Sequence, residues 1–396
     1  MTETVVRLAA RGDGVTESGR FLPFAAPGDV VAADGAVEPG PHRAVPPCRH
    51  FPECGGCQLQ HVDDEAYGGF LCDRIASALF AQQLPRPEML EPHISPPNSR
   101  RRASLKAEKR FGRTLLGFNA EKSHKIVDMW ECHILRPELF ALVEPLRRLL
   151  DELFAVKDSA AVRMTLADQG VDLTIAGFGR HGLAAEERLA AFSAANRLAR
   201  LAIDQGLGPE TRWEPEPLTV SLGGVPVPLP HGAFLQATAD GEAALVAAVR
   251  EAIGPARAVA DLFSGLGTFS LSLEGKIFAV EGSRDSALAQ AKAARSASRT
   301  VFVDHRDLFR RPFSAAELAR FDAVVLDPPR AGAKEQVAEL ARSQVPCVAY
   351  VSCNPNTFSR DAKILCEGGY RLLWVKPVGQ FRWSTHVELA AAFVRG

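Results

Sequence analysis

Cys353 stands in VSCNPNTFSRD, where an apolar, strand-like run meets the start of a helix. A thiol there faces the edge of a sheet where ligands gather, and a helix N-terminus favours its thiolate. Asn354, Asn356 and Arg360 give it polar company, whereas Cys347 and Cys366 have settings that suit simple packing. Glu388, in THVELAAAF beside His386, stands at or near the start of the last strand. A carboxylate among apolar neighbours is costly to bury alone, so it is either paired or used in proton transfer. A thiol nucleophile and a carboxylate base together suit covalent catalysis.

Other segments bear on binding. DLFSGLGTFS, Asp261 to Ser270, reads as a strand ending in a glycine turn and a helix. Gly265 and Gly267 let a ligand approach the backbone, and a helix start offers free N–H groups. Glu281 ends the next apolar run, where an acid commonly holds ribose hydroxyls. The turn lacks the third glycine of a dinucleotide site and the Lys-Ser/Thr of a P-loop. S-adenosylmethionine, with no phosphate to cradle, fits better. LDPPR, Leu326 to Arg330, places Asp327 past another apolar strand, with two prolines stiffening its exit. The DPP turn also suits methylation of amino groups, so it does not name the acceptor.

Cys48, Cys54 and Cys57 form a tight set, with Cys132 in WECHIL as fourth member. Four thiolates suit an iron–sulfur cluster or zinc, and this spacing favours a 4Fe–4S cluster over zinc. Cys72 is a rival ligand in a helical, apolar setting. The densest positive stretch holds Arg100, Arg101, Arg102 and Lys106. Such a run is ordinarily a solvated face; beside a metal cluster and a small β module it suggests RNA contact.

These residues need elements to hold them. Residues 1–45 alternate short β-like runs with Gly and Pro turns. Residues 63–82 have helical apolar spacing through Tyr67, Leu71, Ile75 and Leu79, and a Pro-rich stretch follows. A mixed region has a helix near 137–155 and strands near 161–177 and 217–227. After Phe234 apolar β-branched runs alternate with helical ones, which predicts βαβ units. The expected fold is α/β: a Rossmann-like C-terminal domain over 231–396, with a mostly parallel sheet whose last strand is antiparallel. A mixed α+β central domain spans 46–230, and a small β module 1–45.

The 396 residues carry 46 Lys and Arg against 47 Asp and Glu, a formal charge of −1. Binding nucleic acid by bulk charge is excluded, so an RNA partner must meet a local patch. No apolar run reaches the ~20 residues of a membrane span, and the first residues do not read as a secretory signal. A cytoplasmic monomer without membrane contact is expected.

Together GAFLQ, DLFSGLG, LDPPR, SCNP and HVE, in that order, resemble the RNA uracil-C5-methyltransferase family. The cysteine set with GGCQLQH is similar to the subgroup that acts on 23S ribosomal RNA and holds a 4Fe–4S cluster. Residues 1–45 look like a shortened version of the family's RNA-binding β-barrel. The resemblance implies Cys353 as nucleophile and Glu388 as base. It implies S-adenosylmethionine contacts at Gln236, Phe263, Thr268, Glu281, Asp307 and Asp327, to which the glycine-turn reading adds Gly265, and cluster ligands at Cys48, Cys54, Cys57 and Cys132. The chemistry is consistent. Uracil C5 is a poor nucleophile until a thiolate adds at C6, and a base must then remove the C5 proton. The competing readings are a tRNA 5-methyluridine methyltransferase, an amino-group methyltransferase and a non-catalytic RNA-binding protein.

Overall fold

The computed structural model describes residues 2–177 and 182–396. The chain divides into two compact units, one of residues 1–66, 96–219 and 382–385, the other of 67–95, 220–381 and 386–396.

The first unit opens with a small sheet centred on strand Glu3–Leu8, flanked by Gly14–Thr16 and Val30–Val31. Its core is Val5, Ala25 and Val31. Fully buried Asp29 accepts from the N–H of Ala26 at 2.7 Å and of Gly40 at 2.8 Å, and pairs with Arg43. A second sheet runs in the order Pro209–Trp213, Arg200–Asp204, Gly170–Ala176, Ser159–Ala167, Arg102–Arg110, Arg113–Gly117. In strand Arg102–Arg110 the residues alternate: Ala103, Leu105 and Ala107 are buried, Ser104 and Lys106 exposed. The buried set joins Val162, Leu173 and Leu201 with Leu146 and Leu150 of helix Val143–Leu153 in one core.

The second unit is built on a long sheet. Five parallel strands lie in the order Val301–His305, Lys276–Glu281, Ala258–Leu262, Ala323–Leu326, Cys347–Ser352. Strand Glu388–Arg395 follows, antiparallel to Cys347–Ser352 on one side and to Tyr370–Gly379 on the other. Strand Ala323–Leu326 is buried along its whole length, as expected where helices cover both faces. Helix Ala239–Ile253 contributes Leu245 and Val249 to the core. The α/β architecture with an antiparallel last strand matches the expectation.

The sequence groups residues 67–95 with the centre of the chain, but they pack in the second unit. Strands Glu88–Met89 and His93–Ile94 extend the long sheet by pairing with Tyr370–Gly379. Tyr67, Leu71, Ile75 and Leu79 of helix Asp64–Ala81 are buried. Among the described residues no helix is long and apolar enough to cross a membrane.

Candidate active site and cysteine cavity

Cys353 follows strand Cys347–Ser352 directly. Asn354 caps the next helix, Pro355–Glu367, accepting the Asn356 N–H at 3.1 Å, and Pro355 occupies the first turn. Asn at the cap and Pro just inside are what a helix start favours, so SCNP sets the Cys353 backbone locally. The partner strand brings Glu388. Ser352 pairs with Leu389, so Cys353 and Glu388 come next along the two segments, close enough for the Glu388 charge to act on the thiol. Glu388 is buried at 5% exposure. Asp327 follows strand Ala323–Leu326 and keeps only part of its surface open.

The electrostatics correct one expectation. The helix start does not leave Cys353 as a thiolate. Burial first, then Glu388 and Asp327, push the thiol up to about 11, against a smaller pull from Arg330. Asp327 in turn lies well above the ordinary carboxyl range, through burial and the nearness of Glu388 and Asp261. Three carboxyl groups, Asp327, Glu388 and Asp261, thus lie close enough for mutual repulsion, and a cationic ligand beside them would relieve it.

A clamp joins the Asp327 loop to the Cys353 helix. Asp361, fully buried, accepts from the Ala333 N–H and the Tyr350 hydroxyl, both at 2.7 Å, and pairs with Arg360. Arg360 donates to the Ala331 carbonyl at 3.0 Å, and Asn354 and Thr357 both donate to the Arg330 carbonyl at 3.1 Å. Gly332 is required here, because its φ is +80° and a Cβ would lie 2.6 Å from Asp361.

The glycine turn departs from expectation in a second way. Residues after Leu262 form a run of turns, not a helix. Gly265 and Gly267 have φ of +58° and +98°. The Ser270 N–H goes to Asp261 Oδ2 at 2.9 Å instead of to a carbonyl one turn back, which breaks the helical ladder. Glu281 Oε2 accepts the Gly265 N–H at 2.8 Å, so the acid and the turn meet as expected. Phe263 lies 5.4 Å from Phe309, two residues past Asp307, and Asp307 accepts the Phe309 N–H at 2.9 Å. Thr268 is half-buried within the turns, and Gln236 is buried at 1% with its amide nitrogen 3.4 Å from Asp327.

Three residues were missed in the sequence. Asp361 and Gln380 carried no signal, because their partners are remote in the chain. Asp261 did, as the acid that opens DLFSGLG. It is fully buried, raised by burial to about 6, and its Oδ1 has no hydrogen-bond partner.

In the first unit Cys48, Cys54, Cys57 and Cys132 line one cavity, floored by Phe118 and Met129; Cys72 does not line it. The Arg49 and His50 side chains hold Cys132 close: Arg49 pairs with Glu131 at 3.3 Å and the Trp130 N–H donates to His50 at 3.0 Å. Gly55 permits the near approach, since a Cβ there would meet the Asn119 carbonyl at 2.7 Å. Burial raises all four thiols, Cys57 to about 12, and each would be raised further by its neighbours' charge. Among the described residues no group of three or more His, Cys, Asp or Glu is set to hold a metal ion. Of the basic stretch, Lys106 is exposed, while Arg100, Arg101 and Arg102 are half-buried. The Arg100 guanidinium lies over Phe118, 5.8 Å from the ring centre, in the field of Cys132 and Cys57.

Comparisons with known proteins bear on the family. The family described as tRNA (Uracil-5-)-methyltransferase matches residues 229–395. An RNA methyltransferase of Zymomonas mobilis is 53% identical over 393 residues, 99% of each chain. The 23S rRNA (uracil(1939)-C(5))-methyltransferase of Chromohalobacter salexigens is 33% identical over 371 residues, 88% of this chain and 76% of that protein. The crystal structure of the Pyrococcus abyssi tRNA (uracil-54, C5)-methyltransferase with S-adenosyl-L-homocysteine shares the fold over 100% of both chains, with a TM-score of 0.76 at 23% identity. The chain therefore belongs to the RNA uracil-C5-methyltransferase family, enzymes that use S-adenosylmethionine.

Proposed function

We propose that this protein converts a uridine of 23S ribosomal RNA to 5-methyluridine, with Cys353 as nucleophile and Glu388 as base. The observation that supports the reading is the nearness of Cys353, just past strand Cys347–Ser352, to Glu388 and Asp327, whose charges both act on its thiol. Cys353 gives its proton to Glu388, which passes it to solvent and so returns to its ionised form, and the Cys353 sulfur adds to C6 of the ring. C5 then becomes electron-rich and takes the methyl group. Glu388 removes the proton left on C5, and Cys353 departs. S-adenosylmethionine supplies the methyl group. Phe263, Gly265, Thr268, Glu281 and Asp307 hold it, with Gln236 and Asp327 at the end nearest Cys353. Asp261 Oδ1, buried and unpartnered, suits a cationic group of the same ligand.

The target is assigned to ribosomal RNA on the cysteine set. Four thiols lining one cavity match the four-thiolate donor set that would hold a 4Fe–4S cluster. Cys48, Cys54, Cys57 and Cys132 would hold it. Its cationic irons would offset four buried thiolates and tie the 48–57 loop to the 130–134 loop. Methyl transfer moves no electrons to an acceptor, so no step needs it. Arg101, Arg102 and Lys106, with Arg100 beneath them, form the RNA-facing edge of this reading. A transfer RNA target is the second reading, favoured by the fold shared with the tRNA enzyme.

The test is mass spectrometry after incubation with S-adenosylmethionine and either ribosomal or transfer RNA. Glu388→Gln is expected to accumulate a covalent adduct with methylated rRNA, and Cys353→Ala to give neither adduct nor product. Methylation by Cys353→Ala would sink the C6-addition mechanism in favour of amino-group methylation. An adduct with tRNA alone would reassign the target. A wild type that binds RNA but methylates nothing leaves only a binding protein.

A further inference from the structure

We propose that Gln380 is a positioning residue of the methyl-transfer site, which fixes Gln236 so that its amide nitrogen, not its oxygen, faces Asp327. The inference rests on uracil being the acceptor base and goes beyond it by naming what sets the polarity of the pocket that reads it.

The argument begins from a group whose polarity is not in doubt. The Ala237 backbone N–H can only donate, and it donates to Gln380 Oε1 at 2.8 Å. Gln380 must then present its nitrogen on the other side, where it donates to Gln236 Oε1 at 2.7 Å. Gln236 is left with its nitrogen toward Asp327 Oδ2, at 3.4 Å. The oxygen and nitrogen of a side-chain amide are nearly alike in shape, so hydrogen-bond partners decide between them. Here one backbone N–H decides for both glutamines in turn.

The relay is enclosed. Gln380 and Gln236 are buried at 2% and 1% exposure. Helix Ala239–Ile253 begins directly against Gln380, and a Cβ on Gly241 would lie 2.8 Å from the Gln380 Cβ. Thr238 caps that helix by accepting the Gly241 N–H at 3.1 Å, which holds the 236–238 segment in place. Enclosure holds both glutamine side chains in place, and the Ala237 N–H sets the sense of their amides.

The consequence concerns the base. The N3–O4 edge of uracil offers a donor and then an acceptor; that of cytosine offers an acceptor and then a donor. A Gln236 nitrogen beside Asp327, ionised once a cationic ligand relieves the crowding that raises it, presents a donor next to an acceptor, which complements uracil and opposes cytosine. When the Cys353 sulfur adds to C6, charge gathers on O4, and a donor fixed in advance stabilises it more than the neutral ring. An inverted Gln236 would place two acceptors side by side and lose both effects.

The test uses Gln380→Met, which keeps the volume and removes the relay, and Gln380→Glu, which keeps the acceptor for Ala237 and removes the donor. Both are expected to lower kcat on the RNA substrate about tenfold or more, with KM for RNA within about threefold of wild type. A general loss of structure would move both together. A second measurement needs no substrate. At pH 8, Asp327→Asn is expected to raise Tm more in the Gln380→Glu background than in wild type, because Asn can donate to an inverted Gln236. Equal Tm changes in the two backgrounds, or unaltered kcat in both variants, would overturn the proposal. Wild-type protein that forms no 5-methyluridine would instead sink the reaction, while the Tm cycle would still judge the relay.

Discussion

At the scale of single residues, the pocket is defined by acids kept out of their ordinary range. Burial raises Asp261 from 3.8 to about 6. A carboxyl raised on folding holds its proton more tightly in the folded state. Its stabilisation is therefore full below about pH 4 and is lost as pH rises through about 6. Asp261→Asn should remove that loss. In urea denaturation without ligand, its stability relative to wild type should improve from pH 4 to 7 by roughly 3 kcal/mol, about 1.4 kcal/mol per pKa unit. The raised Cys353 thiol yields a kinetic prediction. At pH 8 the ligand-free protein should react with iodoacetamide at Cys353 more slowly than an ordinary thiol does. Glu388→Gln should speed that reaction by removing a neighbouring negative charge, as peptide mass mapping would record.

At the scale of elements, the site depends on a clamp between the loop after strand Ala323–Leu326 and helix Pro355–Glu367. Tyr350→Phe removes one donor to Asp361 and should cost about 1 kcal/mol in chemical denaturation. Asp361→Ala strands the Ala333 N–H, the Tyr350 hydroxyl and Arg360 at once, and should cost about 3 kcal/mol or more. Its kcat should fall further than its stability at the assay temperature explains, because Asp327 rides on the loosened loop. The turn after Leu262 was misread as a helix for a similar reason. The glycines were legible, but the diversion of the Ser270 N–H to Asp261 depends on a side chain across the turn.

At the scale of the molecule, the four cysteines span 84 positions from Cys48 to Cys132 yet line one cavity. If they hold a cluster, protein purified without oxygen should be brown and contain about four irons per chain. Cys48→Ser should lose both colour and thermal stability; a colourless, zinc-containing wild type would exclude the cluster. The basic stretch divides in the same way. Exposed Lys106→Ala should weaken RNA binding without changing sequence preference and lower the salt slope by about one unit. Arg100→Ala, whose guanidinium lies over Phe118, should instead lower Tm.

Much of this was readable in the linear chain because the chemistry is encoded locally. SCNP specifies a strand end, a cap and a helix start around Cys353, and DLFSGLG specifies a turn only glycine tolerates. Apolar runs alternating with helical spacing were enough for the parallel sheet, whereas the antiparallel last strand was expected from the family resemblance and not from periodicity. Residues 67–95 were misplaced because two-residue strands leave no periodicity to read. The protonation of Cys353, the clamp on Asp361, the turning of Arg100 toward the cysteines and the glutamine relay were not readable at all. Each arises from groups brought together across long stretches of chain, where burial and neighbouring charge set proton affinity and a remote backbone N–H sets an amide's orientation.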